Sequence, residues 1–309
     1  MAPKCNLIID SCCDLPYGVV DREGIDLLQF PYIFGDQVYS DDLYRTTSVG
    51  EFYQRMRKGE QPSTSQMPAQ RLREAFLKVA QEGIPAVYIC FASALSGSYD
   101  LAEIVLSQVK KEHPEIEVHI IDSKLASAAE GLVVYEAIRQ REKGLTATEL
   151  AKWVSEAIYF INCEFMVDDL EALRRGGRIP ASVAYAGAKL DVKPLLSIDL
   201  DGKLILTGVA RGRKKGLKQL ADFYEKNSIS TGLGQCVVVA HSDSAKDAEK
   251  LKETLHSIDS SIVFLDAYIG PVIGSHVGPD MVAIIFWGSD RREGLSVADR
   301  ITRKIKGDH

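Results

Sequence analysis

CNLIIDSCCDLP, residues 5–16, sets the fold. An unbroken apolar run ends in an acid and a serine, then two adjacent cysteines, a second acid and a proline. A run without polar alternation suits a strand covered on both faces. The same form returns in AVYICF (86–91), EVHIID (117–122), QCVVVA (235–240), SIVFLDAYI (261–269) and MVAIIFW (281–287). Segments of helical period lie between them, at 71–83, 99–112 and 128–144. Gly83 and Gly144 supply helix stops, and Thr146 with Glu149 forms a capping box for the next helix. Strands alternating with helices in this way predict an α/β fold, with a parallel sheet in the first half.

The second half changes character. In LLSIDLDGKLILTGV (195–209) two strand-like runs meet at Asp201-Gly202, a hairpin signal. The expected organisation is therefore an N-terminal parallel-sheet α/β domain, 1–162, and a C-terminal α+β domain, 163–309.

Composition narrows the function. With 46% apolar and 26% charged residues, the chain has the material for a sizeable core. A net charge of −6 argues against bulk nucleic-acid binding. No apolar run reaches the roughly 18 residues that span a bilayer, and no amphipathic basic helix is read from the pattern. The first residues pass from one lysine into a strand-like run, so no signal peptide is expected. Six cysteines without a C-x-x-C pair read as buried free thiols in a reducing cytoplasm. Scattered histidines give no metal-ligand spacing, so no metal or cofactor is expected.

Chemistry gathers at the strand ends, where open α/β sheets bind ligands. The ends carry Asp10-Ser11, the loop ASALSGSY (92–99), Ser123, and His241-Ser242-Asp243. The loop GPVIGSHVGP (270–279) adds Ser275 and His276, and PSTSQMP (62–68) adds Ser63, Thr64 and Ser65. Hydroxyls, glycines such as Gly97 and one histidine suit a small anion held by neutral donors. Each hydroxyl alone is equally a helix cap. A nucleotide loop of the G-x-x-x-x-G-K-[ST] form is absent. Ser96 lacks the preceding glycine of a nucleophile elbow, although Ser96, His276 and a strand-end aspartate could form a hydrolase triad. Two basic clusters, 174–178 and 211–215, read as solvated helix ends or as a docking face.

The ordered set of motifs resembles the DegV family of fatty-acid-binding proteins. The resemblance rests on IIDSCCDLP (8–16), PSTSQMP (62–68), SALSGSY (93–99), IIDSKLASAAEGL (120–132) and FMVDDLEALRRGGRI (165–179). It continues in KPLLSIDLDGKL (193–204), RGRKKG (211–216) and IGPVIGSHVGPDMVAIIFWG (269–288). It implies a non-catalytic subunit of a bacterial fatty acid kinase. Such a subunit buries one long-chain fatty acid between its two domains and presents its carboxylate to a separate ATP-binding kinase subunit, which forms an acyl phosphate for phospholipid synthesis. Thr64, Ser96 and His276 match the carboxylate-binding positions, with Ser11, Ser63, Ser65, Gly97 and Ser275 around them. Arg178 and Arg213 match basic positions facing the kinase partner. Cys12 and Cys13 depart from the small or hydroxyl residues usual there, and are expected to shape the wall of the pocket. A Ser96 hydrolase and a lipid-sensing regulator are the alternatives.

Overall fold

Strand β1 (Asn6–Asp10) is the second strand of a four-stranded sheet in a computed structural model that describes residues 3–182, 192–229 and 236–306. The order is β2 (Ile25–Leu28), β1, β6 (Ala86–Cys90), β7 (Val118–Asp122), all parallel. Helices Ala69–Glu82 and Ser98–Glu112 pack on each other and against this sheet. Gly83 ends the first of them at φ 65°, and the Thr146–Glu149 capping box starts helix Ala147–Ala157.

The second sheet has six strands. Its order is β10 (Leu204–Arg211), β9 (Val192–Ile198), β8 (Ile161–Met166), β13 (Val282–Trp287), β11 (Cys236–His241), β12 (Val263–Tyr268). Only β11 and β12 pair in parallel; the central β13 runs antiparallel to both its neighbours. Strands β9 and β10 form the expected hairpin, with Gly202 at φ 82°. Alternation divides this sheet cleanly. Met166, Leu195, Val237, Val239, Ile284 and Phe286 pack under helices Arg213–Asn227 and Ala245–Ile258. Cys163, Phe165, Leu196, Val238, Ala283 and Ile285 face the other way, into the main core. Both faces of the central strands β8, β13 and β11 are covered, which is why antiparallel strands here look as uniformly apolar as parallel ones.

Helix Ala128–Glu142 wedges between the two sheets. It is buried along most of its length, packs on β8, β11 and β13, and meets the first loop at Gly131. A Cβ at Gly131 would stand 2.3 Å from the Cys13 carbonyl oxygen, so only glycine allows this approach.

A third, small antiparallel sheet escaped the sequence reading: β4 (Gln37–Ser40), β3 (Pro31–Phe34) and β5 (Ser63–Thr64). Tyr32, Phe34, Tyr39, Phe52 and Tyr53 hold it in a cluster of edge-to-face, tilted and stacked rings. Its role is positional. By pairing Tyr32 with Thr64, it carries the hydroxyl run to the gap between the larger sheets.

Candidate functional site: an apolar cavity with a neutral polar head

A cavity of about 260 Å³ lies in that gap. Phe30 and Phe91 line it from the first sheet side; Cys163, Phe165, Ile198, Leu204, Ala283 and Ile285 line it from the second. Residues 126–129, where the wedge helix begins, close another side. Ser127 sits there at φ 57°, an uncommon conformation for serine, and its hydroxyl donates to Asp14 at 2.5 Å.

The polar groups are few and gather at one place. Thr64 Oγ1 lies 2.8 Å from Nε2 of His276, which sits in the last turn of helix Pro271–Val277. Burial, then Arg178 and Arg175, push His276 down to about 4, so the ring is neutral at physiological pH. Among the described residues its Nδ1 is buried without a partner. A neutral ring has one proton, and a buried N–H without an acceptor costs more than a bare lone pair. The proton therefore sits on Nε2 and is donated to Thr64, leaving the Thr64 hydroxyl hydrogen free for an acceptor in the cavity.

Ser96 extends this head. Its Oγ is 2.9 Å from Ser98 Oγ, which in turn accepts from the Met67 amide at 3.0 Å. The loop 95–98 and the loop 64–67 are thereby joined, and Thr64, Ser65, Gln66, Ser96 and Gly97 all line the cavity. Arg178 lines it too; Nε donates to the Leu95 carbonyl at 3.2 Å, and Nη1 to the Gly176 carbonyl.

Gly176 is essential to this packing. A Cβ there would fall 2.1 Å from His276 Nδ1, so the Arg-Gly-Gly-Arg turn lies directly on the imidazole. Gly176→Ala should displace the ring into water, and its pKa, followed by NMR, should rise from about 4 toward the ordinary histidine value. An unchanged titration would mean that the turn does not hold the ring.

The remaining candidates lie elsewhere. Ser11 is buried and accepts from the Phe30 amide at 3.0 Å, supporting the sheet edge beside the cavity. Ser63 is exposed on β5, and Ser275 donates to the Pro271 carbonyl within its own helix. None of the three lines the cavity. Cys12 and Cys13 are wholly buried in a short 3-10 turn and likewise form no part of its wall, contrary to expectation. Burial and neighbouring carboxyls push both thiols up, away from the reactive thiolate. Nor do His241–Asp243 reach the cavity: Ser242 caps the Met281 amide, and Asp243 pairs with Arg57. Arg213 joins the same outlying network, bonding Asp247, Ser244 and the Asp280 carbonyl.

What the sequence concealed is a buried acidic layer behind the site. Asp10, Asp14, Asp41 and Glu130 are all essentially inaccessible. Burial raises the first and third to about 7, and holds Asp14 and Glu130 well above the ordinary carboxyl range. Asp14 also accepts from the Gly270 amide at 2.9 Å, while Tyr44 and Tyr53 both donate to the Ile269 carbonyl at 2.7 Å. These bonds clasp the start of the helix that carries His276.

The site is thus an apolar cavity between the two larger sheets of an α/β fold, with hydroxyls and a neutral histidine at one end. The chain belongs to the DegV family: the family model described as "Uncharacterised protein, DegV family" matches residues 4–288. A DegV domain-containing protein of Clostridium perfringens is 35% identical over 92% of this chain and 98% of its own. Among solved structures, the fatty-acid-binding DegV family protein of Streptococcus agalactiae superposes with a TM-score of 0.80 at 25% identity, over 93% of this chain and all of the other. A DegV lipid-binding protein of Thermotoga maritima gives 0.78 at 26% identity, covering 93% and 99% of the two chains.

Proposed function

We propose that this protein binds one long-chain fatty acid in the cavity, with its carboxylate at Thr64, Ser96 and His276. In this reading it is a non-catalytic carrier that presents the head group to a separate ATP-binding kinase subunit, and the acyl phosphate formed there feeds phospholipid synthesis. The observation that carries the proposal is the cavity itself: an apolar wall ending in the Thr64–His276 pair, with a histidine held neutral. Burying about fourteen methylenes at about 0.8 kcal/mol each contributes on the order of 11 kcal/mol before association costs. Neutral donors therefore suffice to orient the carboxylate without trapping it.

The geometry favours a carrier over a Ser96 nucleophile, because His276 engages Thr64 while Ser96 is bonded to Ser98. Arg178, beside the head group, and Arg213, beyond it, belong to the partner-facing side in this proposal, and residues 1–162 and 163–309 to its two domains. Free thiols support a cytoplasmic setting. No helix among the described residues is long and apolar enough to cross a membrane.

Recombinant protein, extracted with organic solvent and analysed by mass spectrometry, should release a stoichiometric long-chain fatty acid. Protein that emerges empty and takes up neither palmitate nor oleate would refute the reading.

A further inference from the structure

Contrary to the sequence expectation of no amphipathic basic helix, one is present at Val297–Lys306, outside the family match, which ends at residue 288. Val297, Ile301 and Ile305 fall on it at four-residue spacing and are 74%, 54% and 80% exposed. That spacing sets three apolar side chains in one stripe along a helix face. The same ten residues contain Arg300, Arg303, Lys304 and Lys306 against a single acid, Asp299, in a chain of net charge −6. The helix is built in place: Ser296 caps the Asp299 amide at 3.1 Å, and Arg303 bonds Asp201 at 2.7 Å. Asp201 is in the turn of the β9–β10 hairpin, whose Ile198 and Leu204 line the cavity.

We propose that this helix docks the protein on an anionic lipid bilayer. The apolar stripe enters the boundary between head groups and acyl chains, and the excess of positive charge in the segment favours anionic lipid. A helix of ten residues is about 15 Å long, and three aliphatic side chains cover far less than the roughly 800 Å² per partner of a stable protein interface. A bilayer requires only the stripe and the charge. The inference is independent of what the cavity holds.

The test is cosedimentation of the full chain with vesicles of phosphatidylcholine alone or mixed with phosphatidylglycerol. The mixed vesicles should retain at least about tenfold more protein, and high salt should release it. Ile301→Asp with Ile305→Asp should reduce retention to that on phosphatidylcholine, with thermal melting unchanged because both positions face water. Ile301→Trp should add to the emission of Trp153 and Trp287 a component that shifts to the blue on adding mixed vesicles. Equal retention of the double variant, or no retention of the parent, overturns the proposal. So does a concentration-dependent dimer, seen by analytical ultracentrifugation, that the double variant dissolves; a second copy would then cover the stripe.

Discussion

Asp14→Ala should lower the melting temperature by roughly 6 °C, a loss of about 3 kcal/mol. The carboxyl joins three parts of the chain: the loop after β1, Ser127 at the start of the wedge helix, and Gly270 at the start of the helix bearing His276. Alanine leaves the Gly270 amide and the Ser127 hydroxyl buried without that partner. It also places an ordinary Cβ residue at φ 51°, which aspartate and asparagine tolerate better. Asp14→Asn retains an acceptor and the backbone preference, so it should lose much less. Scanning calorimetry of the three proteins decides the matter. If alanine and asparagine cost the same, the hydrogen bonds are not what hold the clasp.

The same carboxyl gives a pH dependence with a definite sign. In the folded state Asp14 and Glu130 are raised well above ordinary carboxyls, and Asp10 and Asp41 stand at about 7. The folded protein thus holds more protons than the unfolded chain above the ordinary carboxyl range, and stability falls as pH rises. The buried histidines His241 and His276 are lowered, and their opposite contribution is confined to pH values below the ordinary histidine value. Between about pH 6.5 and 8.5 the carboxyls therefore dominate, and the melting temperature should decline. Asp14→Asn should flatten that decline.

Sequence periodicity exposed the parallel sheet, the major helices and the hairpin because each obeys a local rule. Apolar runs, glycine stops, a capping box and Asp-Gly are all contained within a few residues. The direction of β13 is not local: a strand covered on both faces has the same composition whichever way it runs. The small sheet was partly legible, since PYIF and QVYS flank Gly35-Asp36, a two-residue hairpin turn with Gly35 at φ 57°. Strand β5 was not, because two residues carry no period. The cavity was hidden for a related reason. Phe165, Ala283 and Ile285 read as core, and only the fold reveals that the core is incomplete beside them. Thr64, Ser96 and His276 could be listed from loop chemistry, but the closeness of Thr64 to His276 depends on β5 pairing with β3. Of the buried acids only Asp10 stood at a strand end in the sequence pattern; Glu130 lies in the first turn of the wedge helix, and nothing local marked it or Asp41 as buried.

Ala283→Trp should abolish fatty-acid binding, whereas Thr64→Val combined with Ser96→Ala should weaken it by about ten- to a hundredfold. The difference follows from which part of the ligand supplies the free energy. Each head-group hydroxyl contributes about 1 kcal/mol net, rising toward 1.5–3 kcal/mol where it meets a charge. Tail burial is several times larger. Ala283 lies on β13 with its side chain among the cavity-facing residues, paired across the sheet with Phe165 and Ala240. An indole there occupies space the chain would need, and it fills an existing void rather than a packed core, so the fold should persist. Displacement of a fluorescent fatty acid measures both variants, with circular dichroism to show that each is folded. A folded Ala283→Trp protein that still binds normally would exclude this cavity as the lipid site. Wild-type affinity in the hydroxyl double variant would leave the cavity standing and remove the head-group assignment. The opposite ranking, with the hydroxyls dominant, would mean that the carboxylate is trapped rather than merely oriented, a poor arrangement for a carrier that must release it.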